Sequence, residues 1–146
     1  DGGVTLEPGR QAAEEPASFA LPLEEGLVTQ LQFDFAFGIH IDASVHVRIE
    51  GPFVLDRAGA SQTYDPEQTT SLGPLLELRG SIVTDGLAAA DGSLSLRFAD
   101  GSHLLVPPDQ HYEAFTINGR EALSQGGFLI VSKPGGGLSI WGKQAG

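Results

Sequence analysis

From Leu27 to Ile41 the chain reads LVTQLQFDFAFGIHI, with an apolar residue at almost every second position. Leu27, Thr29, Leu31, Phe33, Phe35, Phe37, Ile39 and Ile41 share one parity; Val28, Gln30, Gln32, Asp34, Ala36, Gly38 and His40 take the other. A period of two sends alternate side chains to opposite faces of an extended chain. The stretch therefore predicts a strand with one buried and one wetter face, not a helix. A strand this long is expected to bend, and Gly38 is the expected place for a bulge or kink.

The same texture continues. After a turn at Asp42-Ala43-Ser44, VHVRIE alternates with Val45, Val47 and Ile49 inward, which predicts an antiparallel hairpin. Pro52 breaks the ladder, so residues 53–55 are expected as a short continuation or an edge, and DRAGAS as a loop. One helical segment is expected after Asp65-Pro66, where Asp65 caps, Pro66 takes the first position and Gln68 sits as a capping-box partner. It should bury Leu72, Leu75, Leu76 and Leu78 in one or two short turns and stop at Gly80. Turns are expected at Asp91-Gly92, Asp100-Gly101 and Asn118-Gly119, and FLIVS should pair with LSIW across KPGGG. The fold class is therefore mainly β: a curved antiparallel meander or two-layer sheet of roughly eight to ten strands. Residues 1–20, rich in Gly, Pro, Ala and Glu, read as an acidic N-terminal arm ahead of a single β-rich domain over residues 21–146.

Charge and composition then narrow the function. The chain has 19 acids, 8 bases and a formal net charge of −11. Its bases lie singly, at Arg10, Arg48, Arg57, Arg79, Arg97, Arg120, Lys133 and Lys143. Nucleic-acid binding needs clustered positive charge, so neither nucleic acid nor an anionic membrane is an expected partner. Such a charge would steer the chain toward a basic protein partner over long range, but solubility alone is the better reading of a generic acidic chain. Cysteine is absent, which removes disulfides and thiolate chemistry and fits a cytoplasmic setting. No run approaches the ~20 apolar residues of a membrane helix, and no signal-peptide pattern is present.

Four groups invite a chemical reading. His40, Asp42 and His46 lie around one hairpin turn and offer imidazole and carboxylate to a divalent metal, but the sequence does not secure all three as ligands and names no second shell, and exposed strand residues are the better reading. His111 and Glu113, two apart, would share a face of a strand, yet no nucleophile motif accompanies them. Tyr112, Phe115 and Trp141 are expected on or near the core. KPGGG lacks the helix that should follow a phosphate loop and reads as a hairpin turn. No catalytic set, metal or cofactor is expected. The arm, with Arg10 among Glu7, Glu14 and Glu15, could enter a partner's cleft, although such arms are more often simply solvated.

FDFAF, VRIEGPFVL, LRFADGSHLLVPPDQHYEAF and PGGGLSIW resemble a family of small, chiefly actinobacterial proteins. The matching residues are Asp100, Gly101, Pro108, Asp109, Tyr112, Glu113, Ala114, Pro134, Gly135, Gly136 and Trp141; Phe115 stands where that family usually has Trp. The resemblance covers about residues 21–142. The family is understood to include the immunity factor for the tuberculosis necrotizing toxin, an NAD-degrading enzyme. The resemblance thus implies a cytoplasmic antitoxin that occludes a basic cleft on a cognate toxin. The matched residues read as structural and do not mark the binding surface. The arm and the loops lie outside the match, and the partner-binding residues expected there and on the acidic surface are Arg10, Glu14, Glu15, Asp34, His40 and Asp42, with Arg10 standing in for the cationic nicotinamide ring.

Overall fold

The structure is a computed structural model that describes residues 18–23, 25–68, 72–120 and 127–142. Among these, twelve strands form one antiparallel sheet. They are β1 (Phe19–Ala20), β2 (Gly26–Phe33), β3 (Phe37–Ile41), β4 (Val45–Ile49), β5 (Phe53–Arg57) and β6 (Ala60–Tyr64), then β7 (Ile82–Ala88), β8 (Leu94–Phe98), β9 (His103–Val106), β10 (Phe115–Gly119), β11 (Phe128–Ser132) and β12 (Leu138–Gly142). Their order is β12-β11-β10-β4-β3-β2-β7-β8-β9-β5-β6, with β1 beside β7. β2 is the junction: its first residues pair with β7 and the rest with β3.

The mainly β expectation holds, but the count of eight to ten is too low. The long alternating stretch is two strands, not one bent at Gly38. Asp34, Phe35 and Ala36 turn the chain, and Phe33 pairs with Phe37. The Asp34 carboxylate closes that turn by accepting the Ala36 N–H at 2.8 Å, so an Asx turn does what a glycine usually does. Phe35, read as inward, sits at the turn and is 83 % exposed. A bulge at Thr29 also reverses the parity within β2, so Val28 is buried while Leu27 is exposed.

Other differences have equally local causes. DRAGAS is the end of β5, a two-residue turn and the start of β6. Ala58 and Gly59 both have positive φ (51° and 84°), the pattern whose twist suits a tight hairpin. Strand β5 is therefore interior, between β9 and β6, rather than an edge. Asn118-Gly119 is not a turn; both residues pair within β10. The helical segment is a 3-10 helix, Gly73–Leu78. Its three-residue period buries Leu72, Leu75 and Leu78 and leaves Leu76 60 % exposed. Asp65 instead closes a separate turn, accepting the Glu67 N–H at 3.0 Å.

One apolar cluster joins both ends of the sheet order. Phe37 of β3 stacks on Phe53 of β5 at 5.5 Å, and Phe19 of β1 meets Phe128 of β11 at 5.0 Å. The sheet thus folds back over itself into two layers, with one side of each inside. Phe37, Phe53 and Phe115 are fully buried, and each such ring stabilises the fold by about 1.5–3 kcal/mol relative to exposure. The outer sides of the two layers are left to present function.

Candidate functional site

The glycine-rich hairpin and the stretch PPDQHYEA lock the fold together. Gly135, Gly136 and Gly137 all have positive φ. The Gly135 N–H donates to the Asp109 carbonyl at 2.7 Å, and the Gly137 N–H to the Asp91 carbonyl at 2.9 Å. Ser132 Oγ, fully buried, donates to the Gly92 carbonyl at 2.7 Å. These donors serve the protein's own turns and do not form an anion cradle. At Gly92 a Cβ would fall 2.7 Å from the Gly137 nitrogen, which explains the glycine.

That lock holds one side of an open cleft of about 470 Å³. Glu50, Asp65, Glu67 and Asp109 line it together with Tyr112, and among the described residues no Lys, Arg or His does. Asp109 accepts the N–H groups of His111 and Tyr112 at 2.8 and 3.0 Å. Those two bonds hold its carboxyl below the usual carboxylate range, so it is charged at neutral pH. Tyr112, expected near the core, is 72 % exposed because residues 107–114 are loop rather than strand. For the same reason His111 and Glu113 do not share a strand face, and both are exposed.

A second feature lies on the outer side of β2, β3, β4 and β10. His40 and His46 are directly opposite in register, with rings stacked at 4.1 Å. Gln32 Oε1 lies 2.8 Å from His40 Nε2. Gly38 leaves room for the stack, since a Cβ there would come within 3.2 Å of His46 Nε2. Burial first, then the charges of His40 and Arg48, push the His46 pKa down. A depression of about 380 Å³ is lined here by Gln30, His40, Asp42, His46, Asn118 and Arg120.

Of the six partner-binding residues expected from sequence, Arg10, Glu14 and Glu15 lie outside the described residues. His40 and Asp42 meet in the depression. Asp34 is at the other end of β3 and pairs with Arg48 at 3.2 Å, which also holds Glu50 at 3.2 Å. The Ala36 N–H, followed by Arg48, lowers the Asp34 pKa. Asp42 accepts the Leu27 N–H at 3.2 Å and has φ 55°, so it shapes the β3–β4 turn. Among the described residues no group of three or more His, Asp or Glu is placed to hold a metal ion.

The sequence reading missed the acidic cleft, because its members lie on three separate segments. It also missed Ser95 and His103, whose Oγ and Nε2 are 2.6 Å apart across the β8–β9 hairpin. Asp56 faces His103 in register, but its carboxylate engages Ser61 Oγ, so the Ser–His–carboxylate order of a hydrolase is not completed. Trp141, expected in the core, is 54 % exposed on β12.

A family model matches residues 5–142. The chain belongs to DUF6188, a family of unknown function. The match begins inside the segment that composition sets apart as an arm. No curated protein and no solved structure matches the chain. Among the described residues no helix is long and apolar enough to cross a membrane.

Proposed function

We propose that this chain is a cytoplasmic immunity protein that binds a cognate toxin and occludes its active site, the toxin being of the NAD-degrading kind. The observation that carries the reading is the cleft lined by Glu50, Asp65, Glu67 and Asp109, with no base among the described residues that line it, in a chain of net charge −11. A toxin that binds an anionic dinucleotide needs a positive active-site cleft. An acidic, open surface steers onto such a cleft and competes with the substrate for it. Tyr112, exposed on the rim, adds an aromatic face against which an arginine or lysine can rest. The sequence resemblance to a family containing a toxin's immunity factor supports the same reading.

The alternative is a non-catalytic β-rich binding module whose ligand is a different basic protein. Membership in a family of unknown function favours neither partner. Co-expression separates the two readings. An immunity protein rescues cells from the toxin encoded beside it and co-purifies with the toxin domain one to one. If cells carrying both still lose their NAD and die, the immunity reading falls and the binding module remains.

A further inference from the structure

Strand β12 closes one end of the sheet order. It pairs with β11 in unbroken register, from Phe128 opposite Gly142 to Ser132 opposite Leu138. Among the described residues no strand covers its other edge. Protein sheets normally guard such an edge with a charge, a proline or a bulge. The residues of β12 (Leu138, Ser139, Ile140, Trp141, Gly142) include no charge and no proline, and the ladder has no bulge. Its outward neighbours on β11, Leu129 and Val131, are apolar too. Trp141, the chain's one tryptophan, stands half-exposed beside this edge.

We propose that β12 is a dimerisation edge, pairing antiparallel with β12 of a second copy of this chain. One observation favours a second copy over another occupant, and it is size. Antiparallel pairing about Ile140 sets Trp141 opposite the second copy's Ser139, and Leu138 opposite its Gly142. Each large side chain then meets a small one, and Ile140 meets its own equivalent. A two-fold interface requires this kind of self-complementarity. Charge does not forbid it: two chains of −11 repel over most of their surface, and a neutral strand is where they can approach.

The backbone agrees. Lys133 N–H donates to the Gly137 carbonyl at 2.9 Å, closing the β11–β12 hairpin. Antiparallel pairs alternate between bonded and non-bonded, so the Ser139 and Trp141 backbones bond β11. Leu138 and Ile140 then turn their N–H and C=O groups to the open edge, where a second strand can take them.

The test is sedimentation equilibrium of the full chain across the micromolar range, with Trp141 fluorescence as a reporter at the edge. The expected mass rises toward twice the monomer with concentration, and the emission shifts to the blue in parallel. Trp141→Lys, at an exposed position, and Ser139→Trp, which sets bulk against bulk, should each raise the dissociation constant ~10-fold or more. A constant monomer mass with unchanging emission would overturn the proposal. So would a dimer whose emission stays put and which survives Trp141→Lys, since the contact then lies elsewhere. A monomer with blue emission that turns red when residues 1–17 are removed would also overturn it, making the N-terminal segment the occupant.

Discussion

The acidic cleft and the β12 edge are opposites in chemistry. The cleft is charged and assembled from loops: Glu50 after β4, Asp65 and Glu67 after β6, Asp109 and Tyr112 before β10. The edge is neutral, regular and drawn from one strand. A cleft of this kind selects a partner by sign of charge and acts first on the rate of encounter. An edge of this kind selects by backbone register and side-chain size. Two surfaces with different physics can engage different partners at once, so the proposed toxin complex and the proposed homodimer need not compete.

Both surfaces rest on one core, and the largest expected effect breaks both. Phe53 is fully buried and stacks on Phe37 and Tyr64. Phe53→Ala should cost about 3–5 kcal/mol and be seen as a single lowered urea transition. Two separate transitions would mean that the layers fold independently. Next in size is charge reversal in the cleft. Asp65→Lys with Glu67→Lys should weaken toxin binding ~100-fold at low salt, chiefly through a slower association rate. The dimer should be unaffected, read by sedimentation of the same variant.

How far such residues could be read from sequence differs between the two regions. The hairpins at Asp91-Gly92, Asp100-Gly101 and KPGGG are legible because glycine at positive φ marks them. The turn at Asp34-Phe35-Ala36 is not, because an aspartate side chain closes it without glycine. The bulge at Thr29 hides likewise, since alternation continues through it in the letters while the chain changes face. Asn118-Gly119 misleads because its neighbours on β4 and β11 hold it extended. The cleft was illegible because residues from Glu50 to Asp109 converge only after folding. Trp141 was misread because an edge strand looks like an interior one until its neighbours are counted.

Salt gives a smaller effect with opposite signs at the two surfaces. Raising salt from about 50 to 500 mM shortens the reach of charge from over 10 Å to a few. Toxin affinity should fall several-fold, while dimerisation should strengthen as repulsion between −11 chains is screened. Titration calorimetry and sedimentation at matched salt measure the two. Movement in the same direction would erase the distinction between the surfaces.

The smallest effect is on stability against pH. The His46 and His103 pKa values lie below the ordinary imidazole value, in both cases first through burial. The unfolded chain therefore binds protons first as pH falls. Stability from these neutral rings is complete above about 6.5 and is lost as pH drops toward their lower folded values. Asp34, Asp91, Asp100 and Asp109 are lowered by the hydrogen bonds that close their turns. Their contribution is present above about 3.9 and is lost as pH falls through the folded values. The urea midpoint should be level above pH ~7, dip below ~6.5 and fall again below ~4. His46→Gln should shrink the first step and leave the second.

The central claim is that the acidic cleft, not the neutral edge, meets the toxin. The affinity of one toxin domain for three proteins tests it most directly: the native chain, the Asp65→Lys/Glu67→Lys variant and the Trp141→Lys variant. The account predicts a ~100-fold loss for the cleft variant and an unchanged affinity for the edge variant. The reverse pattern, with Trp141→Lys abolishing binding and the cleft variant binding like the native chain, would contradict it.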